Sequence, residues 1–158
     1  MEHLWAPWRI EYILSEKDTE CIFCKKPGQD KDRENLILYR AGKNVVMLNK
    51  YPYNPGHLMV APYKHVAKLD ALENEELLEH IQLVSRCVEM LKEVMSPEGF
   101  NIGINLGKVA GAGIEEHIHT HVVPRWNGDT NFMPVMSDTR TISEALDATY
   151  ERLSGSLD

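Results

Sequence analysis

The sequence predicts an α+β domain, an antiparallel sheet with its helices on one side, and three observations carry that expectation. Short β-rich runs come in groups instead of alternating with helices. One long segment repeats apolar residues at helical spacing. Turn-forming residues separate the β-rich runs closely enough for antiparallel neighbours. The 158 residues are the size of one domain, which buries roughly 68 to 70% of its unfolded surface and needs no disulfide staples. No repeat, low-complexity stretch or linker divides the chain, so 1–158 is expected to be a single domain. Its core is expected over 21–126, with a tail at 1–20 and a C-terminal extension at 127–158 that carries a short helix.

The opening Trp5-Ala6-Pro7-Trp8-Arg9 is aromatic, which suits a tail packed on the domain or on a partner subunit. Residues 28–34 are polar and loop-like. Strands are expected at 36–39, 45–48 and 57–61, with turns at 42–44 and 52–56. Leu77, Leu78, Ile81, Val84, Val88, Leu91 and Met95 mark an amphipathic helix over about 74–95, capped by Asn74 and ended by Ser96-Pro97. Two further strands, 100–106 and 117–123, flank a glycine-rich stretch at 107–113, and a helix over 143–153 closes the chain.

With 17 basic residues against 24 acidic ones, net charge −7, the chain lacks the dense cationic surface that general nucleic-acid binding requires. A local cationic pocket for a small anionic substrate stays compatible with that balance. No apolar run approaches the roughly 18 to 20 residues of a membrane span, and Met1 to Trp5 resembles neither region of a signal peptide. A cytoplasmic protein without membrane contact is the expectation.

The segment His117-Ile118-His119-Thr120-His121 carries the chemistry. In a strand, alternate side chains share a face, so three imidazoles line up while Ile118 and Val122 turn to the core. At about 3.3 Å per residue, His117 and His121 stand roughly 13 Å apart, too far to share one metal. One reading is a face of satisfied histidines or an adventitious metal patch. The other is catalytic: neutral imidazole is a nucleophile near pH 7, and with one ring nitrogen held by a carbonyl the other can attack phosphorus. Just upstream, Asn105-Leu106-Gly107-Lys108 to Gly113 offers glycines that let backbone N–H groups approach an anion.

Cys21 and Cys24 form a Cys-x-x-Cys pair, which supplies two thiolates to a closed tetrahedral metal site needing two more ligands. His65 and His117 are the candidates, and a redox thiol pair or two buried cysteines are the alternatives. Cys87 lies on the apolar face of the long helix and is expected in the core.

These motifs resemble the histidine triad (HIT) superfamily, whose signature alternates three histidines with hydrophobic residues. The likeness extends to Asn49-Lys50-Tyr51-Pro52 and Gly56-His57-Leu58-Met59-Val60-Ala61-Pro62, and spans 21 to about 126. The resemblance implies His119 as the nucleophile, His121 as a phosphate ligand, Asn105, Gly111 and Gly113 beside the scissile phosphate, and Asn49 at the ribose. It implies structural zinc on Cys21, Cys24, His65 and His117, and a homodimer formed through the long helix and a sheet edge. Within the superfamily, the Trp-rich start, Cys-x-x-Cys, Gly111-Ala112-Gly113-Ile114 and Val122-Val123-Pro124-Arg125-Trp126 followed by Gly128-Asp129 are similar to the bacterial diadenosine tetraphosphate phosphorylase group. Hydrolases and phosphoramidases of the superfamily usually place Gln where this chain has Ala112-Gly113, and the smaller loop implies room for inorganic phosphate as second nucleophile.

The activity so implied is nucleotidyl transfer from a dinucleoside polyphosphate through a nucleotidyl-histidine intermediate, with phosphate as acceptor. A dinucleotide hydrolase or phosphoramidase, and a nucleotide-binding module without turnover, are the alternatives. Arg125 and Lys108 can hold distal phosphates or be surface charges, and Trp126 can stack a base or pack at a subunit contact. His3 and His80 are expected in solvent, and His57 as a hydrogen-bonded strand end.

Overall fold

A computed structural model describes residues 20–130 and 142–158. Trp5, Trp8 and His3 lie outside the described residues. The elements run α1 (Ile22–Lys25), α2 (Asp32–Asn35), β1 (Ile37–Arg40), β2 (Asn44–Leu48), β3 (Leu58–Pro62), α3 (Asn74–Met95), β4 (Gly99–Ile104), β5 (Thr120–Arg125) and α4 (Leu146–Leu153), with short 3-10 turns at Leu69–Ala71 and Lys108–Ala110. The five strands form one antiparallel sheet in the order β1-β2-β3-β5-β4. This is the α+β antiparallel architecture expected, except that the helices are not all on one side, α3 and α4 covering one face and the short α1 the other, and that α2 begins inside the 28–34 stretch expected to be loop.

Strand periodicity divides the sheet into two buried faces. Val46, Leu48, Leu58, Val60 and Val122 face α3 and meet Leu83, Val84, Cys87, Met90 and Leu91, while Tyr150 and Leu153 of α4 close the same core. Val45, Met47, Met59 and Ala61 face the other way and pack on Phe23 of α1. Register places Met59 opposite His121, so the histidine side of β5 lies on the face that α1 covers.

Three sequence expectations need correcting. The N-cap of α3 is Glu73, not Asn74: the Glu73 side chain accepts from the Glu76 backbone, and Glu76 Oε2 accepts from the Glu73 N–H at 2.8 Å, which is a capping box. The buried face of α3 runs through His80, Leu83, Val84, Cys87, Met90 and Leu91, whereas Leu78 and Ile81 of the expected stripe are 59% and 63% exposed. Strand β5 starts at Thr120 instead of His117, and Pro62 is the reason. The register pairs Val60 with Thr120 and would set Pro62 opposite Ile118. Proline offers no N–H to continue the ladder, and Ile118 N–H turns to the Val66 carbonyl at 2.7 Å.

Candidate active site and metal centre

The interrupted ladder frees groups that the histidines use. The Pro62 carbonyl accepts His117 Nε2–H at 2.7 Å, which leaves His117 Nδ1 as a lone pair. The His117 carbonyl in turn accepts His119 Nδ1–H at 2.9 Å, so His119 presents Nε2 as its lone pair. His119 is buried, and desolvation holds its pKa below the ordinary histidine value although the carbonyl contact opposes the shift. The ring is therefore neutral at pH 7, in the tautomer a nitrogen nucleophile requires.

His121 is oriented by a separate chain. The Tyr53 N–H donates to His57 Nδ1 at 3.1 Å, so His57 carries its proton on Nε2 and donates it to His121 Nδ1 at 2.9 Å. That fixes His121 as the Nε2–H tautomer, a donor. Burial, and then the neighbouring rings, push His57 down to about 3, and burial followed by His119 pushes His121 down to about 4. His57 is a fully buried residue preceding β3. It is the hydrogen-bonded strand end expected, and it also holds a triad ring. Only glycine fits before it: at Gly56 φ is +78° and a Cβ would stand 2.7 Å from Met95 Sδ.

The glycine-rich segment folds back on itself. Gly111 adopts φ +88°, and its carbonyl accepts Asn105 Nδ2–H at 3.4 Å; Ala112 is buried and Gly113 exposed. Asn49 takes the Tyr51 N–H on Oδ1 at 2.9 Å, which sets Nδ2 3.5 Å from His57 Nε2. Arg125 lies on the face of β5 that carries His121. Its Nε and Nη2 donate to Asp129 at 2.6 and 2.8 Å and its Nη1 to Asn101 at 2.6 Å. These bonds, with those of Asn54 and the Trp126 N–H, hold the Asp129 carboxyl well below the usual carboxylate range and lock the turn after β5. Trp126 is half-buried and Lys108 exposed. A cavity of about 680 Å³ opens between Ala67–Asp70 and Leu106, Gly107, Glu115 and Glu116, and none of the three triad histidines lines it.

Cys21, Cys24, His65 and His117 converge, with one donor atom from each lying within 4.8 Å of the others. His117 Nδ1 stands 3.3 Å from Cys21 Sγ, 3.5 Å from Cys24 Sγ and 3.1 Å from His65 Nδ1, and Cys24 Sγ stands 3.3 Å from His65 Nδ1. A tetrahedral ion of zinc's bond lengths would separate sulfur from nitrogen donors by about 3.5 Å and nitrogen donors by about 3.3 Å. The donor set fits such an ion, and the Pro62 carbonyl supplies the outer contact that ligating imidazoles require.

Sequence reasoning missed two contributors and misplaced a third. Phe23 lies between the cysteines, with its ring 5.2 Å from His117 and 4.7 Å from His119. An aromatic inside Cys-x-x-Cys was the available signal. Asp129, with Asn54, clamps Arg125, and the Gly128-Asp129 turn four residues on was its signal. His80, expected in solvent, is buried, with Nδ1 2.8 Å from Asn44 Oδ1 and Nε2 2.7 Å from Thr120 Oγ1.

A neutral histidine with one nitrogen on a carbonyl and the other unprotonated, its ring 4.8 Å from that of a donor histidine, is an arrangement that can act as a nitrogen nucleophile. The chain belongs to the HIT domain family, whose model matches residues 30–128. It is 37% identical to the AP-4-A phosphorylase of Mycobacterium tuberculosis over 98% of this chain and 83% of that protein. The asymmetrical bis(5'-nucleosyl)-tetraphosphatase of Schizosaccharomyces pombe is 32% identical over 59% of this chain and 50% of its own length. Among solved structures, a zinc-bound histidine triad family protein from Mycobacterium smegmatis superposes with a TM-score of 0.68 at 27% identity, covering 87% of this chain and 92% of that one. Among the described residues no helix is long and apolar enough to cross a membrane.

Proposed function

We propose that the protein is a nucleotidyl transferase that cleaves dinucleoside polyphosphates, converting diadenosine tetraphosphate and inorganic phosphate to ATP and ADP. The observation that carries this reading is the His119 tautomer, Nδ1–H on the His117 carbonyl and Nε2 as lone pair. His119 Nε2 attacks the α-phosphorus, the bond to the bridging oxygen breaks, and ATP departs, leaving adenylyl-His119. His121 Nε2–H donates to a non-bridging oxygen, with Asn105 and the backbone of Gly111 and Gly113 supplying further donors as charge builds. A phosphate oxygen then attacks the same phosphorus, the P–N bond breaks, and ADP leaves with the Nε2 lone pair restored. Asn49 holds the ribose, Trp126 lies beside the base, and Arg125 positions the turn that carries Trp126. The resemblance to the M. tuberculosis phosphorylase over nearly the whole chain supports phosphate as acceptor.

Zinc is the metal this reading assigns to Cys21, Cys24, His65 and His117. When bound it supplies a structural cross-link, joining α1 to the carbonyl that holds the nucleophile. A homodimer is part of the proposal, supported by apolar side chains left exposed on α3, Leu78 and Ile81, and on the edge strand β4, where Ile102 is 50% exposed.

Product analysis of diadenosine tetraphosphate incubated with and without inorganic phosphate tests it. ATP plus ADP formed only with phosphate is the expected result. ATP plus AMP in its absence would establish a hydrolase instead, and binding without products would leave a nucleotide-binding module.

A further inference from the structure

On the far side of β5 from the catalytic rings, four polar side chains form a directed chain. Glu79 Oε1 accepts the Lys43 N–H at 2.7 Å and Asn44 Nδ2–H at 3.0 Å. A carboxylate only accepts, so the Asn44 amide must turn its nitrogen to Glu79 and its oxygen to His80. Asn44 Oδ1 then accepts His80 Nδ1–H at 2.8 Å, which leaves His80 Nε2 as the acceptor for the Thr120 hydroxyl at 2.7 Å. Asn44, His80 and Thr120 are all buried, and none has an unmet side-chain polar atom.

Thr120 lies between His119 and His121, and its neighbours on the helix-facing side, Ile118 and Val122, are apolar core residues. An apolar residue at 120 facing an apolar residue at 80 would be expected to cost no more than this polar pair. What the polar pair adds is direction: a hydroxyl bonded to a ring fixed at both nitrogens holds the strand in one register and one height against α3. The front of the strand sets the ring rotations, His119 by the His117 carbonyl and His121 by His57. The back sets where the two α-carbons stand.

We propose that His80 is a positioning residue for the nucleotidyl transfer, holding Thr120 through Nε2 so that the His119 and His121 rings bracket one phosphate. This rests on the proposed activity. Helix α3 thereby becomes part of the site's frame, since the same helix is tied to β2 by the Asn44–Glu79 bond. An error of about 1 Å in a reacting group costs up to about a hundredfold in rate, so loss of this bond falls on kcat and leaves nucleotide binding intact.

The test separates which bond of His80 matters. His80→Gln reaches the Nε2 position and can still accept from Thr120, whereas His80→Asn reaches only the Nδ1 position. Thr120→Ser keeps the hydroxyl and Thr120→Val removes it. With diadenosine tetraphosphate and phosphate, His80→Asn and Thr120→Val are expected to lower kcat about ten- to a hundredfold with KM within about twofold of wild type. His80→Gln and Thr120→Ser are expected to stay within about threefold of wild type in kcat. A kcat that tracks the melting midpoint of each variant, regardless of which bond survives, would overturn the proposal. A readout independent of turnover is the long-range ¹H–¹⁵N spectrum of the histidine rings. It is expected to show His80 as the Nδ1–H tautomer and to show the His119 and His121 resonances displaced in Thr120→Val. An Nε2–H His80, or catalytic rings that do not move, would refute the positioning role. Absence of turnover in wild type would count against the proposed activity alone, and the spectra would still decide the role of His80.

Discussion

Acid should destabilise this fold through His57, and the size of the effect follows from its surroundings. His57 is fully buried, accepts the Tyr53 N–H on Nδ1 and donates to His121 from Nε2. Burial strips the charged ring of its solvation and the neighbouring His121 and His119 rings disfavour the charge further, while protonation would put a hydrogen on Nδ1 facing the Tyr53 N–H. Its pKa is accordingly depressed from 6.5 to about 3. The unfolded chain takes up this proton below pH 6.5 while the folded chain does not until about pH 3, so stability is complete above pH 6.5 and is lost as pH falls through that window. At about pH 4.5 the loss due to this one ring amounts to about 2 to 3 kcal/mol. Urea unfolding of wild type and His57→Gln at pH 7 and at about pH 4.5 measures it. Gln cannot titrate, so the drop in stability between the two pH values should be smaller in the variant by about 2 to 3 kcal/mol. Equal drops in the two proteins would show that His57 is not held neutral by the fold, and the tautomer assigned to His121 would fall with it.

Three further outcomes are expected. Gly56→Ala should lower stability by about 1 to 3 kcal/mol, because its φ of +78° disfavours a side chain and the added Cβ would meet Met95, Pro124 and Leu91; an unchanged urea midpoint would contradict this. Phe23→Ala should cost about 3 to 5 kcal/mol, since the ring is buried against Val45, Met47 and Met59 as well as His117 and His119, and differential scanning calorimetry reads it directly. Cys24→Ser should reduce bound zinc below one per chain by elemental analysis and lower the melting midpoint to that of chelator-treated wild type, whereas full occupancy would remove Cys24 from the ligand set.

Much of the site was legible because strand geometry is simple. Alternation in 117–121 grouped His119 with His121, whose rings stand 4.8 Å apart, although the strand begins only at Thr120 and His117 joins the cysteines, and the Cys-x-x-Cys pair called for partners, with which His65 and His117 converge. The carbonyl anchor on His119 followed from chemistry alone, although which carbonyl holds it depends on Pro62 ending the ladder two residues early. The helix was harder. Apolar residues on α3 occupy more than one stripe, so periodicity could not decide whether Leu78 and Ile81 or Leu83 and Met90 face the sheet, and that error also sent His80 to solvent. Tertiary contacts settle it: Asn44 and Thr120, remote in sequence, together offer one acceptor and one donor that His80 meets with its two ring nitrogens. The same remoteness hid the His57 to His121 bond, between residues 64 apart in the chain.

The central claim is that His119 Nε2 is the nucleophile, and trapping the intermediate tests it most directly. Purified protein would be mixed with diadenosine tetraphosphate in the absence of phosphate, quenched within milliseconds to seconds, digested under alkaline conditions that preserve a phosphoramidate, and mapped by peptide mass spectrometry. One adenylyl group on His119, discharged as ADP when phosphate is added and absent in His119→Ala, is the predicted result. An adduct on His121 instead, or rapid turnover with no adduct and undiminished in His119→Ala, would contradict the account.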